Sequence, residues 1–303
     1  MSTTAPPLTI VIPPYWAGRT VESYLKTELH FSRGFIRSLK RTNGIILNGS
    51  PVRTVSRLTG GAILNIILAP LPQQIEPQIL PLDIIYEDSD VIVVNKPAGL
   101  LVHPVRTQND GTLANALTGY WLSRHEAASF HPIHRLDKTT SGLVLVAKSP
   151  WAHQQLARQL ESDSLHRFYL AVCVGNPGRT SANITLPVQE TPYVMKRAIA
   201  AEGKAARTVW RVIRTFPSAV LLGVKLHSGR THQIRVHLSH VGHPLWGDPL
   251  YGAADCLINR PALHAVRLHF TQPRTGESIK LTAPLPQDIL SLIDQLQERK
   301  PDP

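Results

Sequence analysis

Asp137 stands where a single carboxylate could do chemistry. It lies in the segment Pro132-Ile133-His134-Arg135-Leu136-Asp137-Lys138-Thr139-Thr140-Ser141-Gly142, two residues after an arginine and one before a lysine, in a polar turn that runs into apolar Leu143 to Val146. Small hydroxyl side chains and Gly142 permit close backbone approach, and a turn anchored on a buried strand can hold one ionised Asp against a bound substrate. The same residues also suit a plain turn in which Asp137 caps the backbone or pairs with Lys138. A second concentration runs from Lys225 to Gly252, KLHSGRTHQIRVHLSHVGHPLWGDPLYG, with Lys225, Arg230, Arg235 and five histidines. On a helix starting near Thr231, Arg235 falls one turn after His232, and a buried arginine there could keep a carboxylate ionised.

Other chemistries lack their signatures. The chain has no G-x-x-x-x-G-K-[ST] phosphate loop, no G-x-G-x-x-G dinucleotide fingerprint and no G-x-S-x-G nucleophile elbow. His131, His134 and Asp137 stand at three-residue steps, as do His237, His240 and His243. Pro132 interrupts the first set, and no separate Cys or His pair completes a zinc pattern for either. Neither a metal nor a small-molecule cofactor is expected. The 14 histidines read instead as phosphate contacts, loop hydrogen bonds and packing.

The elements that must position these residues divide the chain in two, as its 303 residues suggest at roughly 100–200 per domain. A preamble, Met1 to Pro14, reads as unstructured or edge-like. In a first unit, residues 15–69, Val21, Tyr24, Leu25 and Leu29 recur at helical spacing. Ser32 then caps a second helix with Phe35, Ile36 and Leu39 facing inward. Arg33, Arg37, Lys40 and Arg41 share that helix's other face, as an RNA-contacting stripe or an ordinary solvated one. Asn48-Gly49 marks a hairpin after Ile45 to Leu47. Residues 70–81, PLPQQIEPQILP, read as a Pro-rich linker.

The remainder, 82–297, alternates strand-like runs (91–95, 142–148, 169–174, 219–227, 279–283) with helical patterns at about 112–122, 150–160 and 231–241. This predicts an α+β fold with a mixed, mostly antiparallel sheet, preceded by a small α/β-hairpin domain. The tail from Lys300 to Pro303 is expected to fray.

Composition narrows the setting. A 43% hydrophobic and 17% charged chain can bury a core and is not a disordered polyelectrolyte. No apolar run approaches the ~20 residues of a membrane span, and the N-terminus lacks a secretory pattern. Two cysteines, Cys173 and Cys256, exclude a disulfide scaffold and fit a reducing cytoplasm. Lys and Arg number 32 against 21 Asp and Glu, a net charge of +11 that attracts polyanions, nucleic acid foremost.

The segment HRLDKTTSGLVLVAKS (His134 to Ser149) resembles the active-site signature of RluA-type pseudouridine synthases, which isomerise uridine in structured RNA. NKPAGLLVHP (Asn95 to Pro104), RFYLAVCVG (Arg167 to Gly175), GKAARTVWRV (Gly203 to Val212), SGRTHQIRVHLSHVGHPLWGDPLYG (Ser228 to Gly252) and LHAVRLHF (Leu263 to Phe270) follow in the family's order. The resemblance carried by these segments spans nearly the whole of residues 82–290. SRGFIRSLKRTNGIILNG (Ser32 to Gly49) is similar to the S-four type RNA-binding module shared with a small-subunit ribosomal protein.

The resemblance implies a pseudouridine synthase fold and Asp137 as the catalytic carboxylate, with Arg235 its ion-pair partner. Tyr169 is implied to stack on uracil and to assist proton removal, Arg135 to displace the target base, and Arg230 to be a further site residue. Arg33, Arg37 and Lys40 then become candidate RNA contacts. The implied partner is structured RNA, ribosomal RNA ahead of transfer RNA, for a cofactor-free, cytoplasmic and monomeric enzyme. One departure is Leu165-His166-Arg167, where the family often carries Lys shortly before the Tyr; Arg167 keeps the charge.

Overall fold

The computed structural model describes residues 3–4, 6–68, 74–191, 196–252 and 257–298. Cys256, the start of the expected linker (70–73) and the tail from Lys300 lie outside them.

The N-terminal elements are β1 (Thr3–Thr4), β2 (Leu8–Val11), a 3-10 turn at Pro14–Trp16, α1 (Val21–Thr27), α2 (Arg33–Arg41), β3 (Ile45–Leu47), β4 (Ser50–Pro51) and β5 (Ile63–Ile66). Then come β6 (Ile84–Glu87), β7 (Val91–Lys96), α3 (Leu113–Ser123), β8 (Glu126–Ala127), β9 (His131–Pro132), β10 (Ser141–Ala147), α4 (Pro150–Glu161) and β11 (His166–Val174). They are followed by β12 (Ser181–Thr185), β13 (Val188–Glu190), β14 (Arg197–Ile199), β15 (Arg207–Thr215), β16 (Ala219–Leu226), α5 (Gln233–His240), β17 (Leu263–Thr271), β18 (Ser278–Thr282) and α6 (Gln287–Glu298).

The large sheet runs β12-β15-β16-β11-β17-β10-β7-β6, with β18 beside β17 and β9 beside β10. Its pairings are antiparallel except β10 with β17. The α+β architecture expected from the sequence is therefore the one observed. β10 explains its own sequence. Leu143, Leu145 and Ala147 enter one core, Val144 and Val146 the other, so the strand is buried on both faces and reads as an unbroken apolar run. One core lies under α3 and α5. The other joins β7, β10 and α4 to Phe31, Phe35 and Leu39 of the N-terminal unit. Caps start the helices where the sequence places them: Ser32 accepts from Phe35 N, Thr112 forms a capping box with Asn115, and Ser149 precedes Pro150 at the head of α4.

Two features differ from the sequence reading. β2 pairs with β5 in a four-stranded sheet, so structure in the N-terminal unit begins ahead of residue 15. The Pro-rich segment, in its described part, is laid along α3. Gln78 N donates to Asn115 O, Asn115 Nδ2 to Glu76 O, and Gly111 N to Gln78 Oε1. Gly119 makes room for it, since a Cβ there would run into the Gln78 backbone.

The N-terminal unit is docked as well as linked. The His30 carbonyl accepts from Gln154 Nε2 (2.7 Å) and Arg158 Nη2 (3.1 Å) of α4, and Ser32 N donates to Gln154 Oε1 (3.3 Å). Among the described residues no helix is long and apolar enough to cross a membrane.

Three histidines, His134 and His264 buried and His131 half-buried, are held towards their neutral form. Burial lowers His131 and His264 to about 4 and His134 to about 3, with His153, Arg260 and Arg167 respectively adding to the effect. Above the ordinary imidazole pKa of ~6.5 they cost nothing. Below it the unfolded chain takes up protons that the fold refuses, so stability drops as pH falls from ~6.5 towards 4. Urea unfolding across that window should show a continuous decline, shallower in a His264→Asn variant. A flat profile contradicts neutral burial.

Candidate active site

The turn carrying Asp137 is fixed by its carbonyls. Asp137 O accepts from Thr140 N (3.1 Å), and Lys138 O accepts from Gly99 N (2.7 Å) and from Lys96 Nζ (3.4 Å). Thr139 O accepts from Arg260 Nη1 (3.3 Å), while the other side of that guanidinium grips Asp288 of α6 at 2.6 and 2.8 Å. The turn leads into Gly142, whose φ of +115° and contact with the Ala265 backbone suit only a residue without Cβ. The side chain of Asp137 is thereby presented by a rigid loop rather than a mobile one.

Among the described residues Lys96 is the largest fully buried side chain, and it reaches three carbonyls, Pro97 O (2.9 Å), Leu100 O (2.8 Å) and Lys138 O. Burial pushes its pKa down to about 7, against the pull of the Asp137 charge.

Arg235 comes from α5. Its Nη1 lies 3.6 Å from Asp137 Oδ2, and His232 Nε2 lies 3.9 Å from the same oxygen. The expected pairing of Arg235 with Asp137 is thus present, but as the weaker of two. Arg235 Nε and Nη2 each donate at 2.8 Å to Asp248, which is fully buried and also accepts from Leu250 N and Tyr251 N. A planar guanidinium has two parallel donors for one carboxylate and a third left over. Asp248 takes the pair, and the remaining edge faces Asp137.

The Tyr251 ring lies 5.1 Å under the Arg235 guanidinium, and its hydroxyl meets His232 Nδ1 at 3.0 Å. His232 itself, at φ +58°, sits in the left-handed region just before α5, which moves the helix start from Thr231 to Gln233. Such a non-glycine conformation costs energy and tends to occur at functional sites.

Tyr169, on β11, is 4% exposed and lines the same hollow as Asp137, Arg235, His232 and Arg230. A register shift between Phe168 and Tyr169 against β17 places a bulge at that point of the strand, a device that re-aims side chains beside sites. Burial raises its phenol further above the ordinary value, and the nearby Asp137 charge adds to the rise.

The hollow widens into a cleft of about 530 Å³ lined by Pro132 to Arg135, Arg167, Tyr169 and Ser228 to Thr231, a volume suited to one small flat ligand. Arg135 is exposed at its rim and donates from Nη2 to Thr231 Oγ1 (2.6 Å). Arg230 is exposed and donates to Ala205 O (3.1 Å). Arg167 is buried and holds Ser228 O (3.2 Å).

The structure thus brings Asp137, Tyr169, Arg235, Arg135 and Arg230 to one cleft. Arg33, Arg37 and Lys40 lie elsewhere, exposed on α2. There Glu22 of α1 comes within 3.5 Å of Lys40, so that stripe is not free of negative charge as it looked in sequence.

Sequence reasoning did not single out Asp248, Tyr251, His232 or Lys96 as site residues, although each lies inside a quoted motif. Two of the histidines considered as metal ligands make other contacts: His134 Nε2 accepts from Leu145 N, and His237 meets Thr208 Oγ1 and Leu186 O.

One carboxylate facing a guanidinium, with a buried aromatic ring alongside and cations at the mouth, can hold a flat heterocycle and act on the sugar carrying it. Comparison with known proteins identifies the family. Residues 90–240 match the family described as RNA pseudouridylate synthase, and residues 8–64 match the RluD ribosomal pseudouridine synthase N-terminal domain.

The chain is 37% identical over 313 residues to a ribosomal large subunit pseudouridine synthase D of Xanthomonas campestris, covering 95% of this chain and 92% of that one. It is also 37% identical over 279 residues to an uncharacterized RNA pseudouridine synthase, YlyB, of Bacillus subtilis, covering 90% and 92%. Among solved structures, human RNA pseudouridylate synthase domain containing 4 shares the fold, with a TM-score of 0.59 at 23% identity over 72% of this chain and 94% of that one.

Proposed function

The chain belongs to the RNA pseudouridylate synthase family of isomerases, and on that footing we propose that it converts specific uridines of ribosomal RNA, rather than transfer RNA, to pseudouridine in the cytoplasm without a cofactor. The observation that carries the reading is the meeting of Asp137, Arg235 and Tyr169 around one hollow. The reaction breaks the C1′–N1 bond and remakes it as C1′–C5, so the base must detach, turn and rejoin without escaping. Asp137 serves this either as a nucleophile at the sugar carbon or as a base for a sugar proton, and both roles need it ionised. Arg235 Nη1, 3.6 Å from Asp137 Oδ2, sets an opposite charge beside that carboxylate.

Tyr169 fits the stacking role better than that of a general base. A phenol raised above its ordinary ~10 stays protonated at neutral pH, whereas its ring offers a platform worth ~1–3 kcal/mol per stacked base. A uridine inside folded RNA must first be everted, at a cost of a few kcal/mol. Arg135, planar, charged and exposed at the rim, is suited to fill the gap it leaves.

The preference for ribosomal RNA draws on the ribosomal large subunit enzymes that the chain resembles and on the N-terminal match. The deciding experiment is carbodiimide mapping of pseudouridines in total RNA with and without the gene. One or more sites in ribosomal RNA should vanish. Loss confined to transfer RNA would transfer the assignment there, and loss nowhere would refute it.

The N-terminal stripe should contribute through phosphates. Neutralising Arg33, Arg37 and Lys40 together is expected to weaken RNA binding and to flatten the slope of log K against log salt by roughly 0.7–0.9 for each phosphate no longer neutralised. Because Glu22 already shares Lys40, the single change at Lys40 should cost least. An unaltered slope in the triple variant removes α2 from the RNA interface.

A further inference from the structure

We propose that the hollow lined by Asp137 but not by Tyr169 seats the phosphodiester of the target nucleotide. The inference rests on the uridine-isomerising reading and adds to it the recognition of the reacting nucleotide's own backbone. A nucleotide has three chemically distinct parts: a flat neutral base, a sugar and a phosphate anion. Tyr169 shares one hollow with Asp137, where the base stacks, and the sugar must face the carboxylate. The phosphate is left for a hollow that Asp137 lines and Tyr169 does not.

This hollow of about 310 Å³ is walled by His103, Arg135, Lys138, Arg197, Thr231 and His232 together with apolar residues and Asp137 itself. Tyr169 is not among its lining residues, and apart from Asp137 neither is any carboxylate.

The cations there are poised rather than committed. Arg197 Nη2 meets Glu190 at 3.1 Å, but that glutamate is 81% exposed, so water screens the pair and an arriving phosphate can displace it. Lys138 Nζ rests on the neutral Gln108 Oε1 at 3.2 Å, and Arg135 on the Thr231 hydroxyl. The backbone beneath Arg197 is fixed, since its N–H donates to the Tyr251 hydroxyl at 2.6 Å. This ties the seat to the same tyrosine that underlies Arg235. Burial and neighbouring arginines keep His103 and His232 towards their neutral forms, in which each ring still offers one N–H. With Arg135 drawn into the RNA, Lys138 and Arg197 offset the repulsion between Asp137 and a phosphate, and a seated phosphate sets where C1′ falls relative to the carboxylate.

The test uses the whole enzyme and a synthetic RNA oligonucleotide carrying a uridine mapped as above, with either all native linkages or an uncharged methylphosphonate 5′ or 3′ of that uridine. On native RNA, Arg197→Ala should lower kcat/KM by roughly tenfold or more, as expected for a lost charge-assisted bond. With one of the two neutral linkages the wild type should lose a similar factor and Arg197→Ala should lose little further. Losses that multiply for both linkages overturn the seat, because the arginine and the phosphate then act independently. The exposed Lys138→Ala gives the same cycle should Arg197→Ala melt early. If the mapping finds no site that depends on the gene, the isomerase reading fails and the seat with it. If it finds one, only the seat is on trial.

Discussion

Asp137→Asn is expected to lower the rate of pseudouridine formation by about 10³-fold or more while leaving the fold intact. The size follows from the chemistry: an amide of the same shape neither attacks a sugar carbon nor takes up a proton, and loss of a group on which the reaction turns is rarely compensated by its neighbours. The intact fold follows from where the turn gets its support. Thr140, Gly99, Lys96 and Arg260 hold main-chain carbonyls of residues 137–139, and none of those bonds uses the Asp137 carboxylate.

RNA affinity should hold or tighten slightly, since one negative charge leaves a surface that meets phosphates. Asp137→Glu keeps the charge but advances it by a methylene, and a displacement of about 1 Å can cost ~10²-fold. Single-turnover kinetics scored by carbodiimide labelling, beside filter binding and thermal melting, separate these quantities. A residual Asp137→Asn rate within tenfold of wild type would mean that the carboxylate is not the reacting group.

The sheet and the carboxylate were legible in sequence for one reason: both are written in short segments. β10 is buried on both faces, and its apolar run after a polar turn says so without tertiary knowledge. Ser149-Pro150 announces α4, and Ser32 announces α2. What escaped depends on partners far along the chain.

Prolines at 70–81 argue for an extended backbone but do not say whether it is free; the answer for the described part lay in Gly119, where a Cβ would run into the Gln78 backbone. Lys40 looked unopposed on its own helix and met Glu22 from another. Arg235 was read with one carboxylate and has two, because Asp248 lies in the loop after its helix, where helical spacing predicts nothing. By contrast α6, with Ile289 and Leu292 three apart and Leu296 four further, carried a pattern that could have been read.

Arg235 and Asp248 should dominate both stability and turnover, and the two effects can be pulled apart. Asp248 is fully buried, and Arg235 is 5% exposed at its side chain. Removing either partner alone strands the other charge out of water, at a cost of about 3–5 kcal/mol. Arg235→Met or Asp248→Leu should therefore each lower the melting temperature by an amount on the order of 10 °C. Replacing both at once removes the charges together, and such apolar pairs are often as stable as the ion pair they displace. The double variant should recover the part of the loss that comes from stranding a charge, but not the bonds that Leu250 N and Tyr251 N made to Asp248.

It should not recover activity, because the guanidinium edge 3.6 Å from Asp137 is gone while the carboxylate remains. Thermal melts and single-turnover rates on the two single variants and the double variant form a complete cycle. A stable double variant that is also fully active would reduce Arg235 to a structural strut. A stable but slow one locates its catalytic worth in the guanidinium edge that Asp248 leaves free.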